Sequence, residues 1–149
     1  MTAAGTTSEE VMQSTDFYPT ILEMLDIKPK QDLKFDGVSI VPALKGKPLD
    51  REAIFCHFPH YIHDLVPNEG PSTSVRKGDF KLIRFFYGND DQTDRLELYD
   101  LKNDLSEKNN LAEKMPEKVK ELNALIDQFL KDSGSILPKP NPAYKKVSK

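Results

Sequence analysis

The sequence predicts an α+β domain: a small antiparallel sheet of about three or four strands packed by a C-terminal α-helix. Between Ala53 and Leu101, β-prone runs alternate with turn-forming residues. From Pro116 onward the apolar residues change to helical spacing. A further periodic segment near the N-terminus adds a helix for which this scheme has no packing partner.

That first helix runs from about Thr15 to Leu25. Phe17, Ile21, Leu22, Met24 and Leu25 fall near helical spacing, Ser14 or Thr15 is placed to cap the start, and Pro19 is tolerable in the first turn. Lys28 to Asp32 reads as a loop, Phe35-Asp36-Gly37 as a turn, and Ile40 to Leu44 as a short helical turn ending at Gly46. Ala53 to Phe58 is a strand, and a Pro-containing loop follows from Pro59 to Pro71. Thr73–Arg76 and Phe80–Tyr87 form a hairpin about Lys77-Gly78-Asp79. After a polar turn, Arg95 to Leu101 is the next antiparallel candidate. Asp104 and Glu107 have capping-box spacing for a short turn leading to Leu111. Pro116 then opens the clearest helix, with Val119, Leu122, Leu125, Ile126, Phe129 and Leu130 in one stripe and Gly134 as its stop. Residues 1–10 read as a flexible start that fits an expression boundary as well as a natural one, 11–135 as one subdomain, and 136–149 as an extended Pro- and Lys-rich tail.

The 149 residues suit one domain with a modest core, and 38% hydrophobic with 30% charged residues reads as globular. A net charge of −3 with the signs mixed argues against nucleic acid. No apolar run approaches a membrane span, so no membrane partner is expected. The single cysteine, Cys56, cannot form an internal disulfide.

The densest group of chemically capable residues is Cys56-His57-Phe58-Pro59-His60-Tyr61-Ile62-His63-Asp64, which holds all three histidines. Three readings stand. His57, His60 and His63, with Asp64, could ligate a metal, although Pro59 interrupts the helix that their spacing would need. One or two of them could be hydrogen-bonded at a strand end for structural reasons. They could instead line a pocket for an anionic ligand. Cys56 is either a nucleophile paired with a histidine or a small buried apolar residue; adjacent strand residues face opposite ways, which separates it from His57. Arg76, Lys77, Lys81 and Arg84 make a basic group on the hairpin, either a solvated sheet face or an anion-recognition surface. No serine sits in a nucleophile elbow, no Gly-rich phosphate loop is present, and the carboxylates form no catalytic pair.

Several strings, taken in order, resemble the formylglycine-dependent sulfatases of the alkaline-phosphatase-like superfamily, in the portion that follows their catalytic core. Ser14 to Glu23 is similar to that family's helix with its Asp-x-x-Pro-Thr pattern. Phe35-Asp36-Gly37-Val38-Ser39-Ile40, followed by Pro42, Leu44, Lys45 and Gly46, is similar to a second segment. His57-Phe58-Pro59-His60-Tyr61 resembles a string of polysaccharide sulfatases, and Ser74 to Ile83 resembles the Arg-x-Gly-Asp-aromatic-Lys-Leu-Ile hairpin. Glu97-Leu98-Tyr99-Asp100-Leu101, Asp104, Glu107, Asn110-Leu111-Ala112, Pro116 and Asn141-Pro142-x-Tyr144 continue the series, so the resemblance spans roughly Gln13 to Tyr144.

The resemblance implies a C-terminal subdomain that completes the substrate cleft of a sulfate-ester hydrolase, acting on sulfated carbohydrate. It implies His57 and His60 as the substrate-binding residues, with Arg76 and Lys81 as weaker candidates. It also implies a nucleophile from a Cys-x-Pro-Ser-Arg motif and a calcium site, both in an α/β half preceding Val11. Cys56 is followed by His57-Phe58-Pro59, so that motif is not here. This segment is therefore expected to be inactive alone, with no catalytic residue, metal site or cofactor of its own. Its partners would be the catalytic domain of the same polypeptide, against which the N-terminal helix would pack, and a sulfated sugar. The same helix, left exposed, could drive self-association, and the parent would be periplasmic or otherwise extracytoplasmic. Two rivals are an independent sulfated-glycan-binding module and the C-terminal part of a phosphate or phosphonate ester hydrolase.

Overall fold

The computed structural model describes residues 2, 4–30, 33–60, 70–140, 142 and 144. The chain divides into two compact units, Met1–Ile54 and Phe55–Lys149, with the division inside the stretch read from sequence as one subdomain.

In the first unit a 3-10 turn at Ser14–Asp16 leads into α1 (Phe17–Met24), and α2 (Val41–Leu44) follows. Neither Ser14 nor Thr15 caps the start, contrary to expectation. Asp16 does the work instead: one carboxylate oxygen accepts the Gln13 N–H at 2.8 Å, and the other accepts the Val38 N–H at 3.0 Å. Arg51 closes the group, its Nη1 and Nη2 donating to the same carboxylate at 2.7 and 2.9 Å and Nη2 also reaching the Val11 carbonyl. The Thr20 hydroxyl donates to the Asp16 carbonyl at 2.6 Å and accepts the Ile40 N–H at 3.0 Å. Asp16 and Thr20 therefore clasp the 38–40 segment from two points. Gly37 lies between them because a Cβ there would come within 2.3 Å of the Thr15 carbonyl oxygen.

The consequence for α1 reverses the usual arrangement. Its buried residues are Pro19 and Thr20, next to the buried Asp16 that precedes it. Phe17, Ile21, Met24 and Leu25 are 62%, 53%, 66% and 62% exposed. The stripe expected to face a partner faces outward.

The second unit is built on a four-stranded antiparallel sheet in the order β1-β2-β3-β4: β1 (Ile54–Phe58, starting at the last residue of the first unit), β2 (Ser72–Lys77), β3 (Phe80–Phe85) and β4 (Arg95–Asp100). β2 and β3 form the expected hairpin, with Lys77 opposite Phe80 across the two-residue turn Gly78-Asp79. Gly78 sits at φ +58, where a side chain would be strained. The register stacks Val75, Leu82 and Leu98 across three strands, and all three are fully buried.

Over this row lies α3 (Pro116–Ser133), begun by Pro116 and ended by Gly134 in the left-handed region at φ +61. Leu122, Ile126 and Leu130, four apart, supply its buried stripe, while Leu125 stays half-buried. Phe129 stacks on Phe55 of β1 at 4.5 Å between ring centroids. Asp104 and Glu107 do close a short turn, the Glu107 N–H donating to the Asp104 carbonyl at 3.1 Å, while the Asp104 side chain accepts the Asn109 N–H at 2.7 Å and Glu107, at φ +54, turns to Lys81.

Two outcomes are expected. Leu122→Ala should cost about 2–5 kcal/mol in urea denaturation, and Leu125→Ala distinctly less, because only Leu122 is sealed from water. Burial alone would raise the Asp16 pKa, but the bonds from Arg51, Gln13 and Val38 and the Arg51 charge hold it below its ordinary 3.8. Since the folded carboxyl titrates below the unfolded one, its stabilisation is fully present above about pH 4 and is lost as pH falls through the lowered folded value. Amide exchange in α1 followed from pH 6 down to 3 should show that loss, and Asp16→Asn should be destabilised at neutral pH with a flatter acid limb.

Candidate functional site

His57 is held on β1 by the alternation of the strand, which turns Cys56 outward and His57 back over the sheet. Its Nδ1 lies 2.8 Å from the hydroxyl of the fully buried Thr73 on β2, and its Nε2 lies 3.0 Å from the Ile136 carbonyl. A carbonyl oxygen only accepts, so Nε2 carries the hydrogen, and in the neutral ring Nδ1 accepts from Thr73. The ring stands perpendicular to that of Phe86, with 6.2 Å between centroids. His57 thus ties β1 to β2 and to the tail beyond α3.

Pro59 then turns the chain, and His60 projects from it, exposed, its ring roughly perpendicular to that of Phe58 with 5.3 Å between centroids. No other group among the described residues hydrogen-bonds His60. His63 and Asp64, the remaining members of the metal reading, lie outside the described residues. Among the described residues no three of His, Cys, Asp or Glu converge to hold a cation. Cys56 is exposed, not the small buried apolar residue it resembled in sequence.

The basic group on the hairpin is divided by the pleat. Arg76 and Lys81 stand directly opposite one another on the face away from α3. Arg76 donates from Nε to the Gly78 carbonyl at 3.2 Å, while Lys81 binds both Glu107 oxygens at 2.8 and 2.9 Å. On that face Glu97 pairs with Arg95 and accepts the Tyr99 hydroxyl at 2.8 Å. Burial, with the Glu107 charge behind it, pushes the Tyr99 phenol above its ordinary value. Lys77 and Arg84 face α3 instead, Lys77 near Glu121 at 3.2 Å and Arg84 against Asp127 at 2.7 Å. Arg84 is buried and also lies over the Phe86 ring at 5.6 Å.

The four residues selected from sequence do not form one cluster. His57 and His60 share the end of β1, and Arg76 and Lys81 share a sheet face. Thr73 and Ile136, which fix His57, had no sequence signal, since their roles arise only from chain crossings 16 and 79 residues apart.

Against known families, the model of the N-sulphoglucosamine sulphohydrolase C-terminal domain matches residues 1–133. The chain belongs to this family. It is a sulfatase C-terminal domain, similar to the N-acetylglucosamine-6-O-sulfatase of Bacteroides thetaiotaomicron, with 35% identity over 136 residues covering 86% of this chain and 23% of the relative. It is 29% identical to an uncharacterized sulfatase of Escherichia coli, over 89% of this chain and 28% of that one. The sulfatase domain thus spans about a quarter of the length of these relatives. Among solved structures it resembles a protein bound to its substrate D-glucosamine-2-N,6-O-disulfate, at 31% identity and TM-score 0.60, over 78% of this chain and 23% of that one. It also resembles the phosphonate monoester hydrolase of Agrobacterium radiobacter, at 25% identity and TM-score 0.59, over 88% and 27%.

The pinning role of His57 has a measurable consequence. His57→Ala strands the buried Thr73 hydroxyl and releases the Ile136 carbonyl, so the sheet unit should lose about 1–3 kcal/mol in denaturation. Amide exchange at residues 135–137 should rise with it. An unchanged midpoint would mean that water replaces the ring at no cost.

Proposed function

We propose that this domain forms one wall of the substrate cleft in an enzyme that hydrolyses sulfate esters on sulfated carbohydrates. The observation that carries the reading is the family match over 133 residues, joined to 35% identity with an N-acetylglucosamine-6-O-sulfatase. The chemistry divides accordingly. In this reading the nucleophile and the calcium are supplied by residues outside this segment, since Cys56 lacks the Pro-Ser-Arg context that the nucleophile would need. The apolar face of α1 is the surface that the catalytic part covers, which accounts for four large apolar side chains left more than half exposed.

Within this segment His60 is the residue that meets substrate. Its ring is exposed and without another hydrogen-bond partner among the described residues, so it has a donor to offer a sugar hydroxyl or a sulfate oxygen. His57, with both ring nitrogens engaged, acts as a positioning residue that fixes the strand end from which His60 projects. Arg76 and Lys81, tied to a turn carbonyl and to Glu107, hold the sheet face and contribute less to binding.

The test uses the enzyme that contains this domain. His60→Ala should lower kcat/KM on a sulfated sugar by at least about tenfold, roughly 1.4 kcal/mol, with a much smaller loss on a small aryl sulfate. Equal losses on both would place His60 at the sulfate itself or in the fold, and no loss would remove it from the site. The isolated chain should not turn over an aryl sulfate with calcium present. The likeness to a phosphonate monoester hydrolase supports a second reading. A higher kcat/KM on a phosphonate monoester than on any sulfate ester would establish that reading instead.

A further inference from the structure

Where the chain leaves β3, the second unit encloses a cleft of about 440 Å³, within the size range of small-molecule sites. Arg84, Phe86 and Tyr87 form one wall, Asp127 and Lys131 of α3 another, and the tail closes it at Pro138. Neither His57 nor His60 lines it.

Three features make it more than a gap between elements. The Arg84 guanidinium donates from Nη1 and Nη2 to one oxygen of Asp127, at 2.8 and 2.7 Å, and its Nε is buried with no partner among the described residues. That N–H is sealed from the cleft, so the part Arg84 plays there is to hold the Asp127 carboxylate on the wall. Next, Tyr87 sits at φ +55, an outlier for an aromatic residue. Its N–H is bonded to the Asp94 carboxylate at 3.0 Å, and its hydroxyl reaches the Pro138 carbonyl at 3.4 Å. These two bonds fix a strained backbone so that the ring lies in the cleft wall. Finally, the carboxylates at the cleft are already engaged, Asp127 by Arg84 and Asp94 by Tyr87, whereas Lys131 has no partner among the described residues. Asp94 accepts only a neutral N–H and keeps its negative charge, so Lys131 is the one exposed cation of the cleft, among the described residues, that is free to meet an anion.

An aromatic ring offers a flat apolar surface for the C–H face of a pyranose, and guanidinium and ammonium groups donate to anionic oxygens. We propose that this cleft is a binding site for a sulfated pyranose, with the sugar against Tyr87 and its sulfate at Lys131. The inference rests on the reading that the protein handles sulfated carbohydrate, and it adds a site to that reading.

The experiment is an NMR titration of the 149-residue chain with D-glucosamine-2-N,6-O-disulfate, with unsulfated glucosamine and inorganic sulfate as separate arms. The disulfated sugar should shift the amides of Tyr87, Lys131 and Leu137, and the other two ligands should bind at least tenfold more weakly. Tyr87→Ala and Lys131→Gln should each weaken binding at least tenfold. Lys131 is exposed, so Lys131→Gln should keep the denaturation midpoint of the parent chain. Absence of shifts at these amides, shifts confined to residues 58–60, or unchanged affinity in Lys131→Gln would overturn the proposal, as would inorganic sulfate binding as well as the sugar. An enzyme that hydrolyses sulfated sugar while this cleft stays silent defeats the present inference alone. A cleft that binds in a protein with no sulfate-ester hydrolysis defeats the functional reading alone.

Discussion

A charge taken out of water must be met by an opposite charge and by hydrogen bonds, and both units of this chain are organised around one such group. In the first unit it is Asp16, fully buried, met by Arg51 from 35 residues away and by two backbone N–H groups. In the second it is Arg84, met by Asp127 from 43 residues away. Neither pair is a simple source of stability, because desolvation offsets much of the attraction. Each serves as a constraint: only one arrangement of the surrounding segments satisfies the buried ion. For Asp16 that arrangement also requires Gly37, since any side chain there would collide with the Thr15 carbonyl.

The sheet shows the same economy at its edges, where unpaired backbone groups invite association. On the outer side of β4, the Leu98 N–H donates to the Asn110 side chain and the Leu98 carbonyl accepts the Leu111 N–H. This is the physical content of the Asn110-Leu111 string. At the other end of the order, His57 draws the tail beside β1 and β2 through the Ile136 carbonyl. A histidine that looked like a substrate ligand in the sequence is a fastener in the fold. The two roles divide between neighbours: His57 fixes the strand end, and His60, two residues beyond the strand, is left exposed.

α1 is the place where local pattern and tertiary arrangement disagree. Its apolar residues carry the helical period, yet the unit buries the polar side, Asp16 and Thr20, and presents Phe17, Ile21, Met24 and Leu25 outward. Such conflicts between levels are expected where a surface serves something beyond the fold's own stability. The domain spans about a quarter of the length of these relatives.

The sequence by itself determined the elements whose information is local. The hairpin closed by Gly78-Asp79 follows from turn chemistry, α3 from its Pro116 start, its apolar stripe and its Gly134 stop, and the family from the order of its short strings. Only the tertiary structure decided the rest, because it depends on which distant segments meet. It showed that the Asp16–Thr20 and Gly37–Ile40 strings are two halves of one clasp. It sent the side chains of the Asp104–Glu107 turn to Asn109 and Lys81. It split four adjacent-looking cations between opposite faces, since the pleat alternates side chains whatever their charge. And it decided that His57 is occupied while His60 has no hydrogen-bond partner among the described residues, because a ring's partners lie across the chain, where one-dimensional spacing carries no information.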